Sequence, residues 1–303
     1  MKKIIPLLII VLVLFGLITC ESMGDVAGGI AQVAGASDEQ AQAIRAVGKG
    51  IATFAEAKKA ADSLTPENEY YLGRAVAANI AGTYKIYRNA ALQTYLNKIC
   101  SAIVINSSRP DIYNGYHVAV LDTEEINAFA TPGGHIFVTR GLIACASNED
   151  ALAAVIAHEV AHIQLQHALT SIRNARYVNA AVSGALAGIG EAAGGNVAEL
   201  TSIMGDSVNE IITTLVVNGY SKNQELEADE TALSLLAAAG YQSSGILEML
   251  ESLKQKQGNN KTAGFGKTHP APADRITAVN KNLKKYNVED TRSYRAKRFG
   301  AVI

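Results

Sequence analysis

The 303-residue sequence has no tryptophan, three cysteines and almost no excess charge, with 27 basic against 28 acidic residues. Balanced charge removes the electrostatic reason to expect nucleic acid as a partner. So few cysteines leave no room for a disulfide framework. Cys100 and Cys145 lie in apolar stretches and read as small buried hydrophobes, because nothing in their spacing demands a bridge. Aromatic residues make up only 6% of the chain, while alanine and glycine abound. Small residues let helices approach closely, so a mainly helical body is expected. A long uninterrupted apolar run is also missing. The run at residues 4–18 is shorter than the ~20 residues a membrane span needs. Residues 178–205 are broken by glycines and by Glu191, and fit a loose helical hairpin or a segment over the site better than a span.

What is present begins with Lys2 and Lys3, then the apolar run, then Leu17-Ile18-Thr19-Cys20. A basic start, a short apolar core and a cysteine resemble a signal peptide ending in a bacterial lipobox. Residues 1–19 are therefore expected to be removed and Cys20 to be acylated, tethering a periplasm-facing domain to a membrane. Residues 20–64 read as tether and weak helix, residues 65–285 as the main domain, and residues 286–303 as a tail. Within the domain, Thr65-Pro66-Glu67 is a helix start, and helical pattern runs to about residue 105 with a break near Gly82. Short β-prone stretches follow at 116–121, 126–130 and 135–140, the last two joined by Thr131-Pro132-Gly133-Gly134, a turn signal. Ser147 to Asp150 then offer a cap and first-turn acids for a helix expected to reach about residue 175. Later helices are expected over 222–239, 243–257 and from Pro270 onward.

That helix carries His158, Glu159 and His162. Residues four apart share one helix face, so the two imidazoles can aim at one point, as a zinc ion at ~2.0–2.1 Å requires. Glu159 can sit beside the open coordination position as general base for the attacking water. With six histidines and 18 glutamates in 303 residues, chance places His-Glu-x-x-His in such a chain roughly 0.007 times. The apolar neighbours Val155, Ile156, Val160 and Ile163 bury the motif, and buried ionisable groups need partners. A metzincin would continue with glycine and histidine where Leu165 and Ala168 stand, so that class is excluded. His167, some 140° around the helix from His162 by α geometry, is not expected to be a ligand. The third ligand is sought on the stretch 220–233. There Glu225 and Asp229 share a face, Glu225 to bind metal (Glu227 is the reserve) and Asp229 to hold His158 from behind.

Four stretches in order, INAFATPGGHIFVTRGL, NEDALAAVIAHEVAHIQLQH, SKNQELEADETAL and THPAPADRI, resemble zinc metallopeptidases of the gluzincin class, in the family of CAAX prenyl proteases, HtpX and their soluble periplasmic relatives (metallopeptidase family 48). Lys222 stands where arginine is usual. The resemblance implies an α+β, predominantly helical fold with a small β-hairpin beside the zinc helix, and one Zn2+ per chain. It implies an endopeptidase acting on polypeptides, with envelope protein quality control as the setting. It also implies that the strand with Asn127, Ala128, Phe129 and Ala130, or else the HIFVTR edge at 135–140, borders the cleft, where an extended substrate adds as a strand. His269 and Arg275 fall near the same cleft. His269 is read as a latency ligand at the metal or as a donor to the oxyanion, with Arg275 as another donor. Some members carry tetratricopeptide repeats or several membrane helices that are not matched here, so prenylated substrates are not expected. The competing class is an envelope chaperone that keeps zinc only to order its helices. Glu159 argues against it, since a structural site has no use for a carboxylate beside an open position.

Overall fold

The computed structural model describes residues 37, 65–171, 208–257, 268–269 and 272–303. Cys20, the expected signal peptide and tether, the segment 178–205 and the glycine-rich loop 258–267 lie outside the described residues. Contacts divide the chain into two units, and the one made of 65–172 with 200–303 holds every element below. The unit is mainly helical. Helix α1 (Pro66–Thr83) starts where expected, with the Thr65 side chain accepting from Asn68 N–H and proline in the first turn. Helix α2 (Ala90–Val104) is capped by Asn89. Three short strands follow, β1 (His117–Leu121), β2 (Ala128–Ala130) and β3 (His135–Thr139), in the order β1-β3-β2. β2 and β3 form the expected antiparallel hairpin, while β1 runs parallel to β3 with His117 opposite His135.

The hairpin turn is fixed by close packing. Gly133 has φ 72°, and a side chain there would meet the Tyr70 backbone at 2.6 Å. On α1, a side chain at Gly73 would come within 1.6 Å of the Pro132 carbonyl. Only glycines allow α1 to lie directly against this turn.

After the single turn α3 (Arg140–Ile143) comes helix α4 (Glu149–Gln164), capped by Asn148 and buried along all its faces from Glu149 to Ile163. It is the axis of the unit, contacting α2, β2, β3, α5 (Lys222–Ala238) and α6 (Gly245–Gln257). α4 is shorter than its sequence pattern suggests. The chain turns at Gln166, which has φ 55°, before a further helical turn at 167–171. Gln166 Nε2 bonds Glu69 on α1, and Arg109 donates to the Ile163 carbonyl at the helix end. These tertiary bonds outweigh the helical pattern beyond Leu165. α5 opens with a Ser221–Gln224 capping box and ends before Gly240 at φ 77°. α7 (Pro272–Leu283) lies against α5 and α6, and α8 (Arg292–Gly300) against α4. No helix among the described residues is long and apolar enough to cross a membrane.

Candidate metal centre

Two adjacent turns of α4 and one turn of α5 supply most of the site. His158 and His162 face each other, with Nε2 atoms 3.0 Å apart. Glu225 reaches between them from α5, Oε2 lying 3.4 Å from His158 Nε2 and Oε1 3.4 Å from His162 Nε2. His269 places Nδ1 2.8 Å from Glu225 Oε1. These four side chains are buried and each offers a ligand atom, all within 4.8 Å of one another. Two donors at ~2.0–2.1 Å from a tetrahedral zinc would stand about 3.4 Å apart. The spacings from His158 and His162 to Glu225 match that figure, while the His158–His162 and His269–Glu225 spacings are tighter. The donor set therefore fits a metal ion of the borderline kind that takes both imidazole and carboxylate.

The surroundings hold each ligand in place. Asp229 Oδ1 lies 3.1 Å from His158 Nδ1, so the other ring nitrogen is directed at the cluster. Arg275 clamps Asp229 through two bonds, Nε at 2.8 Å and Nη2 at 2.6 Å, and its Nη1 stands 3.1 Å from Glu225 Oε2. His167 Nδ1 lies 2.8 Å from His162 Nδ1, behind the second ligand. Tyr220 stacks on His162, ring centroids 4.1 Å apart at 15°. Thus His158, Glu159, His162, Glu225, Asp229, His269 and Arg275, all named from the sequence, come together. Glu227 is not in the cluster and lies instead by His167, at 3.5 Å. The parts played by His167 and Tyr220 were not anticipated. His167 is the nearest downstream histidine to the motif. Tyr220 gave no signal beyond adjoining Ser221.

The electrostatics divide the groups by role. Burial opposes charge on Glu225, but His269, Arg275 and bonds from both histidines hold its carboxyl well below the usual range. Burial and Arg275 likewise oppose charge on Asp229 and assist it respectively, leaving it at about 2. Burial pushes His162 well down, which favours the neutral imidazole a metal binds. Burial and Arg275 also oppose the charge on His158, yet bonds to Asp229 and Glu225 raise it to about 9. Glu159 differs from the other acids. Burial raises its pKa despite the nearby histidines, and its Oε1 is buried with no hydrogen-bond partner among the described residues. A carboxylate held at a raised pKa beside a metal cluster is suited to taking and giving a proton. Burial, then the charges of Glu159 and Glu225, keeps the Tyr220 phenol protonated.

Near this centre, Ala128, Phe129 and Ala130 of β2 line a cavity with Glu159, Thr214, Leu215, Tyr220 and His269. β2 is an edge of the sheet, and Asn127 beside it is anchored by Thr139 and by the Thr268 hydroxyl.

Comparison with known proteins follows the same outline. A family model for peptidase family M48 matches residues 88–283. The chain is similar to the beta-barrel assembly-enhancing protease of Escherichia coli (strain K12), 25% identical over 224 residues, covering 72% of this chain and 44% of that protein. It is similar to the mitochondrial metalloendopeptidase OMA1 of Schizosaccharomyces pombe, 28% identical over 196 residues, 64% of this chain and 54% of that one. It is also similar to the metalloprotease LoiP of Escherichia coli (strain K12), 31% identical over 156 residues, 52% and 58%. The chain spans about half the length of these relatives.

Proposed function

This chain belongs to peptidase family M48, and on that premise we propose that it is a zinc-dependent endopeptidase of the bacterial cell envelope, acting on unfolded or misassembled proteins. The observation that carries the reading is the convergence of His158, His162 and Glu225 on one point, with the unpaired Glu159 Oε1 beside it. His158, His162 and Glu225 would hold the ion. Bound zinc would supply Lewis acidity, making water more acidic and a carbonyl more electrophilic. Glu159 takes the proton of the attacking water and passes it to the leaving amine. Asp229 keeps His158 in the ligating tautomer, and Arg275 holds Asp229 and Glu225 in register.

The substrate backbone pairs with the β2 edge at 127–130, where main-chain hydrogen bonds give sequence-tolerant binding. In support, that edge faces the cavity that also holds Glu159. His269 is read as a latency ligand; in support, it is one of four donors that lie within 4.8 Å of one another. The envelope setting draws on the sequence at Cys20, read as a lipidated anchor, and on relatives named for β-barrel assembly. Mass spectrometry of the mature N-terminus checks the anchor. Incubating purified residues 21–303 with unfolded proteins tests the activity. Cleavage that stops with a chelator and returns with zinc is expected. No cleavage under any metal condition refutes the reading.

A further inference from the structure

Tyr220 holds a hydroxyl that nothing above employs. The side chain is buried, its ring lies flat on His162, and its backbone N–H donates to the Thr268 carbonyl at 3.3 Å. The hydroxyl is shielded from solvent and has no hydrogen-bond partner among the described residues. Phenylalanine would make the same stack without leaving a buried donor unmatched. An unmatched donor costs free energy that folding alone gives no reason to carry.

The small pocket between β2 and α4 supplies a reason. Tyr220 lines it together with Glu159, whose Oε1 is likewise buried and unmatched. Two residues, each carrying a buried group unsatisfied among the described residues, one a donor and one an acceptor, thus line one pocket beside the edge strand. The neighbouring donors are already engaged. Arg275 bonds Asp229 twice and stands 3.1 Å from Glu225, and His269 is 2.8 Å from Glu225.

We propose that Tyr220 is a catalytic residue of the peptidase reaction, its hydroxyl donating a hydrogen bond to the scissile carbonyl oxygen as that oxygen gains charge. The inference rests on the peptidase reading above. As water attacks the carbonyl carbon, a C–O bond forms and the C=O π pair moves onto the oxygen, while Glu159 takes the water proton. The tyrosine hydrogen bond strengthens with that charge, and the phenolic proton stays on Tyr220. When the C–N bond breaks, the proton on Glu159 goes to the amine nitrogen and the carbonyl re-forms. A donor placed before the reaction needs no reorientation during it, which is the condition for a large effect.

Tyr220→Phe in the full chain, loaded with zinc, separates this role from a structural one. The expected result is a kcat lower by roughly 10²–10³, the scale for loss of one such donor, with KM and zinc content unchanged. Calorimetry with a peptide phosphinate, a tetrahedral anion, is expected to show weaker binding by a comparable factor. A kcat and a phosphinate affinity both within twofold of the parent overturn the proposal, as does a fall in activity fully explained by lost zinc. The parent protein is assayed alongside. If it cleaves nothing, the peptidase reading fails and takes this inference with it. If it cleaves and Tyr220→Phe cleaves equally well, only the inference fails.

Discussion

Glu225 makes more ionic contacts among the described residues than any other acid at the site, and every one is to a group that favours its charge. That arrangement holds only while Arg275 and Asp229 keep the far side fixed. Asp229→Ala removes the partner of His158 Nδ1 and is expected to weaken zinc affinity by roughly 10–100-fold, the range for loss of such supports. Competition with a chromophoric chelator measures it, and an unchanged affinity would place His158 under some other control. His269 makes the opposite kind of prediction. If it holds a fourth ligand position in the resting protein, His269→Ala raises basal proteolysis. A rate lowered by two orders of magnitude would mark it as an oxyanion donor instead. At this scale much was legible in the sequence, since a four-residue spacing on a helix dictates a shared face. What stayed hidden depends on a second element. His162 meets His167 across a chain turn at Gln166, and Tyr220, just ahead of α5, meets His162 on α4. Spacing along one helix says nothing of such pairs.

The N-terminus of α4 is held from outside the family match. Arg295 makes two bonds to Asp150, 3.1 and 2.7 Å, and Arg298 pairs with Glu149, which also accepts from Tyr95 and Tyr241. Both acids are buried at the positive end of the helix dipole. The segment 286–303, read from sequence as a tail, thus carries a helix that braces the one bearing His158 and His162. Burial opposes charge on Glu149, but Arg298 and the tyrosine hydroxyls lower its pKa below the ordinary 4.5. A lowered folded pKa contributes stability above 4.5 that is lost as pH falls through and below that value. Arg298→Leu is therefore expected to destabilise the metal-free protein most at neutral pH, the gap to the parent narrowing below pH 4.5. Denaturant melts across pH 3–7 check this, and a gap independent of pH would contradict it. The reason α8 escaped sequence reading is its composition. RSYRAKRFG has one buried residue, Arg295, and no apolar stripe. Its docking is electrostatic, and charge pairing at a sequence distance of about 145 residues leaves no local pattern. The hairpin was legible because Pro-Gly-Gly encodes its own turn. The parallel pairing of β1 was not, because register between distant strands comes from the core.

At the scale of the whole molecule, the described unit is a helical body whose buried axis carries the chemistry. An axis buried on all faces tolerates charged residues only where they pair, and on the proposed reading a metal would supply the partner that His158, His162 and Glu225 share beside Glu159. One residue in that set, Glu159, has no structural employment. Among the described residues its Oε1 meets no hydrogen-bond partner, and its pKa is raised rather than lowered. The claim that the fold exists to move a proton at that atom is tested by Glu159→Gln, made in the full chain, loaded with zinc and given an unfolded protein substrate. The account predicts unchanged zinc content, an unchanged or higher melting temperature and loss of cleavage. Full cleavage by a zinc-replete Glu159→Gln protein would contradict it.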